Sequence, residues 1–220
     1  MQITMDKKSN LEFLHSNKLI NYEESFNFME QRIAKIAKEE ESELIWFLEH
    51  PAIITAGTSA KEEDILKTDL PIFKTNRGGK HTHHAPGQRV IYIMLNLKKR
   101  AKGRLPDLKQ FILTLENIII NSLAKIGIKG EIKEGRVGVW VFNENNQKEE
   151  KIAAIGVRFT KGVTWHGIAI NVTNDLCLFS GINPCGITEY GVCSVHSLKV
   201  NKTMKELDKY LIDEFKKNFL

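Results

Sequence analysis

From residue 138 to residue 173 three runs rich in β-branched, aromatic and small apolar residues, "GVWVF", "KIAAIGVRFT" and "GIAINVT", follow one another without a helical segment between them. Each reads as a strand. The polar "NENNQKEE" after the first run has the composition of a hairpin loop, so the first two strands are expected to pair antiparallel. "ELIWFLEH" and "RVIYIMLNL" upstream supply two further strands. Helix-length crossovers do not alternate regularly with these strands. The pattern therefore predicts an α+β architecture, a mainly antiparallel or mixed sheet with flanking helices on one side, and not a doubly wound sheet.

Three amphipathic helices complete the pattern. Phe26, Met29, Ile33 and Ile36 recur at spacings of three and four behind Asn21 and Glu24, a variant of the capping box. Leu108, Phe111, Leu115, Ile119 and Leu123 repeat the spacing and stop at Gly127. A third helix starts at Thr203, with Glu206 at the capping-box position, and carries Leu207, Leu211 and Phe215 inward. These faces are packing faces and carry no chemistry.

A chain of 220 residues, 42% apolar and 27% charged, suits one catalytic-size domain spanning 1–220 with its own core. No run approaches the roughly 18 apolar residues of a membrane span, and the N-terminus has neither an apolar core nor a cleavage site, so a cytoplasmic protein is expected. Three cysteines, at 177, 185 and 193, lack the paired spacing of structural zinc and fit free thiols. The net charge of +5 is spread along the chain, without a basic run interleaved with aromatics. It suits an acidic protein partner at least as well as nucleic acid.

Four segments stand out chemically. "RGGKHTHHAPGQ", residues 77 to 88, reads as a cationic loop whose glycines allow close backbone approach; a solvated basic turn accounts for any one of its side chains equally well. A metal is disfavoured there, because the segment holds no Cys or carboxylate and His83 and His84 point to opposite sides of an extended chain. Neither nucleotide-binding glycine motif is present. Lys151 opens "KIAAIG": it is either an ordinary solvated lysine or the one polar group at the edge of a buried sheet. His166 and Gly167 precede a strand in "TWHGIAINV". Finally, Cys185 lies between Pro184, whose φ is fixed, and Gly186, which gives either a rigid mount for a reactive thiol or a turn around a buried one.

Taken in order, "WFLEHPAIITAG", "RGGKHTHHAPGQ", "GRVGVWV", "KIAAIGVRF", "TWHGIAINV" and "INPCGI" resemble the octanoyltransferases, also called lipoyl(octanoyl) transferases or lipoate-protein ligase B, across most of residues 45 to 198. The resemblance implies a fold shared with biotin and lipoate ligases. It implies transfer of an octanoyl group from acyl carrier protein to a lysine of lipoyl domains, those of 2-oxoacid dehydrogenase complexes and of glycine cleavage H protein, with no ATP, metal, nucleic acid or membrane involved. Cys185 matches the family's acyl-thioester cysteine and Lys151 the lysine that assists it. Substrate contacts are implied for Arg77, Gly78, Gly79, Lys80, His81, Thr82, His83 and His84, for Ala154, Ile155 and Gly156, and for Gly167, Ile168 and Ala169. Three positions depart from the family pattern: His83 stands where Tyr is usual, Ala85 where Gly is usual, and Cys193 where Thr is usual.

A free thiol is mostly protonated at neutral pH, so Cys185 needs a neighbour that accepts its proton or stabilises the thiolate, and Lys151 can do either. Two other readings compete: an ATP-dependent lipoate or biotin ligase of the same fold, and a non-catalytic basic module binding nucleic acid or an acidic protein. The cationic loop, with Arg77 and Lys80, is expected beside the acyl site as a surface that steers an acidic donor.

Overall fold

The computed structural model describes residues 2–6 as backbone and residues 10–182 and 190–220 in full; Cys185 lies outside the described residues. In chain order the elements are β1 (Gln2–Asp6), β2 (Leu11–Leu19), α1 (Tyr22–Ala37), β3 (Glu43–Glu49), β4 (Ile53–Ala56), β5 (Ile72–Lys74), β6 (His81–His84) and β7 (Gln88–Met94). They continue with α2 (Leu97–Arg100), α3 (Leu108–Ala124), β8 (Glu131–Lys133), β9 (Arg136–Asn143), β10 (Lys148–Thr160), β11 (Val163–Asn171), β12 (Gly191–Val192) and α4 (Met204–Phe219).

Among the described residues the main sheet has nine strands in the order β1-β2-β3-β7-β11-β10-β9-β8, with β12 added to β10. The β2–β3 and β10–β12 pairs are parallel and the rest antiparallel. A small second sheet, β5-β4-β6, stands beside it. The predicted hairpin is present, Lys148 facing Asn143 and Lys151 facing Trp140.

The alternation of strand side chains divides the core in two. Leu44, Trp46 and Leu48 of β3, with Val90, Tyr92 and Met94 of β7, pack against Met29, Ile33 and Ile36 of α1. Ile45, Phe47, Ile91 and Ile93 face the other way, onto Leu115, Ile119 and Leu123 of α3 and Leu207, Leu211 and Phe215 of α4. Helices thus cover both faces of the sheet, not one as the sequence suggested. The unbroken apolar runs of β3 and β7 are what a strand buried on both faces requires. Each helix begins at a side-chain cap. Asn21 accepts from the Glu23 and Glu24 amides without a reciprocal bond from Glu24, whereas Thr203 and Glu206 close a full capping box. Arg89 of β7 makes a two-pronged ion pair with Asp208, at 2.8 and 2.9 Å, which fixes α4 across the sheet. No helix of the described residues is long and apolar enough to cross a membrane.

Candidate active site

A cleft of about 260 Å³ opens on the α1 face of the sheet. Its floor follows from strand parity. Ala169 pairs with Val90 and Gly167 with Tyr92, while Ala154 pairs with Ala169 and Gly156 with Gly167, so these six side-chain positions point to one face. Four of them are Gly or Ala, and the shallow trough they leave on β10 and β11 ends against the larger Val90 and Tyr92 of β7. The intervening Ile155 and Ile168 border the cleft, but their side chains belong to the core on the opposite face. A Cβ on Gly156 would come within 3.1 Å of the Gly78 carbonyl oxygen and of Arg77 Cδ, so glycine lets that segment lie close without being pushed back.

The roof is the segment expected to be a loop. Residues 77–80 do lack regular structure, and the Gly78 amide donates to the Val157 carbonyl of β10 at 3.2 Å. Residues 81–84, however, form β6, paired with β4 through His81↔Ala56 and His84↔Ile53. Histidine alternation was the available signal, and the flanking glycines masked it. Arg77, Gly78, Gly79, Lys80, His81, Thr82 and His84 all line the cleft, as do Ala154, Ile155, Gly156, Gly167, Ile168 and Ala169. His83 is the exception. It is fully buried against the edge of Phe179, ring centroids 5.4 Å apart, and neither ring nitrogen has a partner among the described residues.

The cationic surface expected of this segment is also corrected. Arg77 turns inward, its Nη2 donating to the Thr55 carbonyl at 2.7 Å and to Thr55 Oγ1 at 2.9 Å, and it is 7% exposed. Lys80 lies 3.7 Å from the Asp64 carboxylate. Arg77 is therefore directed into the protein, whereas Lys80 stays partly exposed beside Asp64, so the two do not form a single outward basic patch.

The inner end of the cleft is aromatic. Tyr22, the first residue of α1, stacks with His84 at 6.0 Å, and Tyr92 lies beside it with its hydroxyl on His50. His84 Nδ1 donates to Gln88 Oε1 at 2.7 Å, and His166 Nε2 donates to Asn76 Oδ1 at 2.9 Å. His166 also lines the cleft; burial first and the Arg77 charge second push it down to about 3. Among the described residues no three His, Cys, Asp or Glu side chains converge as a metal site would require.

Lys151 stands at the opposite, open end with Gly135, Arg136 and Val137. Its residue is 9% exposed; Nζ donates to the Val137 carbonyl at 3.2 Å and lies 4.8 Å from the centroid of the Trp140 ring. Neither sequence reading holds as stated: Lys151 is not a solvated lysine, and it stands within an interior strand of the sheet, facing Trp140 of β9 and Val192 of β12, not at the sheet's edge. The chain leading out of the Cys185 segment arrives at the same place: Tyr190 packs edge-on to Trp140 at 5.5 Å and under the Arg136 guanidinium at 4.2 Å, and Val192 pairs with Lys151. Val90, Tyr92, Tyr22, Arg136 and Val137 were not singled out from sequence. The first two share the strand alternation of β7 and were recoverable from it, Arg136 and Val137 lie within the "GRVGVWV" segment, and nothing local marks Tyr22.

A family model for the lipoyl protein ligase A/B catalytic domain matches residues 21–216. An octanoyltransferase of Wolbachia sp. subsp. Brugia malayi (strain TRS) is 50% identical over 209 residues, which are 95% of this chain and 100% of that protein. Among solved structures, lipoate-protein ligase A bound with ATP has a TM-score of 0.71 at 18% identity, covering 93% of this chain and 83% of that one. A bi-partite lipoate protein ligase from Thermoplasma acidophilum, analysed with its E2 lipoyl domain, has a TM-score of 0.67 at 17% identity, covering 94% and 82%. These two likenesses concern the fold, while the sequence matches reach further: the chain belongs to the lipoyl protein ligase A/B catalytic domain family, on its octanoyltransferase branch.

Proposed function

We propose that the protein moves an octanoyl group from octanoyl-acyl carrier protein, through a thioester on Cys185, to a lysine of lipoyl domains such as those of 2-oxoacid dehydrogenase complexes and glycine cleavage H protein. The observation that carries this reading is the cleft itself. An apolar trough with an aromatic inner end opens at Lys151, and the chain that follows Cys185 is seated beside that lysine through Tyr190 and Val192.

In the first step the Cys185 thiolate attacks the donor's thioester carbonyl, the new C–S bond forms, and the carrier thiol leaves with a proton supplied by the Lys151 ammonium. In the second step the acceptor lysine, as a neutral amine, attacks the Cys185 thioester. An amide forms, the C–S bond breaks, and the amine's surplus proton passes to Lys151 or to the departing sulfur. The trough against Val90 and Tyr92 holds the alkyl chain, worth about 0.8 kcal/mol for each methylene buried. Thioester exchange is close to thermoneutral and amide formation from a thioester is downhill, so the cycle as written consumes no ATP and uses no metal.

Intact mass spectrometry after mixing the protein with octanoyl-acyl carrier protein tests the reading. A single octanoyl adduct, lost on addition of a lipoyl domain and mapped to Cys185, is the expected result. Acyl transfer that requires ATP and leaves no adduct would instead support the ligase reading.

A further inference from the structure

The peptide between Val137 and Gly138 is bonded on both sides. Its carbonyl, on Val137, accepts from Lys151 Nζ at 3.2 Å. Its N–H, on Gly138, donates to Glu116 Oε1 at 3.0 Å. No peptide of the described residues is cis, and in a trans unit the N–H and C=O point in opposite directions. The carboxylate that holds one end therefore aims the other end at the lysine. Glu116 lies on α3, is 5% exposed, and comes from the helix layer on the far side of the sheet from the cleft.

The backbone is built for this arrangement. Pairing of β9 with β10 ends at Val139↔Ala153, where the register shifts between Lys151 and Ala153, so the Gly138 N–H receives a side-chain acceptor in place of a strand partner. Gly138 has φ +117, open to glycine, and a Cβ there would meet the Ala153 carbonyl oxygen at 2.5 Å and Lys151 Cε at 3.5 Å. A buried carboxylate in the middle of an apolar helix face is costly unless it is bonded, and here its bond goes to a peptide whose carbonyl accepts from Lys151.

We infer that Glu116 is a positioning residue for Lys151, acting through the Val137–Gly138 peptide. The carboxylate fixes the orientation of that peptide and polarises it, so the Val137 oxygen becomes a stronger acceptor for the ammonium. Lys151 Nζ is thereby held in one orientation in the cleft lining. The chemical role of Lys151 rests on the reading proposed above; the link from Glu116 to Lys151 does not, and the two are separated experimentally.

The direct test is competitive labelling of lysines by dilute acetic anhydride at neutral pH, read peptide by peptide, with Lys148 as internal reference. Only the neutral amine reacts, so Glu116→Leu should raise the labelling of Lys151 relative to Lys148 by about tenfold, the ratio expected for one charge-assisted hydrogen bond lost. Glu116→Gln keeps an acceptor for the Gly138 N–H and should fall between wild type and Glu116→Leu. Unchanged relative labelling of Lys151 in both variants, or an equal rise at Lys148, overturns the inference. The alkylation rate of Cys185 adds a double-mutant cycle: Glu116→Leu should slow it in the wild-type background and change it less than twofold in the Lys151→Met background. Equal slowing in both backgrounds counts against the inference as well. If Lys151→Met leaves Cys185 unaffected while Lys151 labelling still responds to Glu116→Leu, the link stands and it is the proposed role of Lys151 that fails.

Discussion

Tyr92 Oη lies 2.7 Å from Nε2 of His50, and Nδ1 of the same ring lies 2.6 Å from the Ile20 carbonyl oxygen. A carbonyl only accepts, so Nδ1 carries the hydrogen and Nε2 accepts from the tyrosine, an arrangement that needs the neutral ring. Burial pushes His50 down to about 4, opposed by the Ile20 bond; it does the same to His83, down to about 4, and holds His84 well below the ordinary imidazole range. With His166, four imidazoles are neutral in the fold and take protons near pH 6.5 once unfolded. Their folded values are depressed, so this stability is complete above about pH 6.5 and is lost as pH falls toward 4 and below. Asp208, raised to about 6 by burial against the pull of Arg89, acts in the opposite sense between its unfolded value and 6 and offsets one proton. Urea midpoints measured at pH 7.5, 6 and 5 should fall steeply, each net proton contributing about 1.4 kcal/mol per pH unit. His50→Gln should flatten the slope by about one proton.

The three thiols should separate by reactivity. Cys193 is buried, and burial together with the Glu150 charge pushes it up to about 12, whereas Cys177 is exposed. Iodoacetamide on the native protein should modify Cys177 and Cys185 and reach Cys193 only after denaturation. Cys185→Ser should abolish the octanoyl adduct and nearly all transfer, while Cys177→Ser and Cys193→Ser keep both. A full-strength adduct on the Cys185→Ser protein would remove Cys185 as the nucleophile.

Chain length should be set by what closes the trough. Ala169 lies on its floor next to Val90, and a larger side chain there shortens the space in front of the β7 wall. Ala169→Leu is expected to shift the ratio of hexanoyl to octanoyl adduct at least tenfold toward hexanoyl, about the value of two methylenes. Val90→Ala should shift the ratio of decanoyl to octanoyl the other way. Ratios within one variant are insensitive to the fraction folded, and an unmoved ratio in both would place the chain elsewhere.

A methyl group at Gly167 tests the packing of the floor. Its Cβ would come within 2.1 Å of the Ile91 carbonyl oxygen, a backbone atom in the neighbouring strand that cannot turn aside. Gly167→Ala should cost about 2 kcal/mol or more, read as a lowered denaturation midpoint.

Legibility from sequence followed the physics of each segment. β3, β7, β9, β10 and β11 were recognisable because strands buried in the sheet must be nearly continuously apolar, and the three long helices because one face of each is apolar at helical spacing. β2 was missed. Its "LEFLHSNKL" mixes apolar and polar residues, and its burial fades toward the exposed Lys18 and Leu19. The placement of α1 opposite α3 and α4 was out of reach, because an amphipathic stripe says that a helix packs, not on which face of a sheet. In the cleft, the motif segments were legible as segments, but the inward turn of Arg77 and the burial of His83 against Phe179, away from the cleft, depend on how β6 and β4 are placed in three dimensions. Glu116 carried no signal, being one charge on a helix otherwise read as packing.

The strand order has a consequence for how the protein is made. Tyr22, the 77–84 segment, Tyr92, Lys151 and Ala169 meet only because β7, from the middle of the chain, sits between β3 and β11, with β10 beyond. During synthesis, the trough lacks much of its floor until β11 has left the ribosome, and Val192 has still to pair beside Lys151. Pairings between strands so far apart in sequence form late and slowly. The cleft is therefore complete only when the sheet is complete, so a chain truncated before β11 lacks Gly167, Ile168 and Ala169 of its lining.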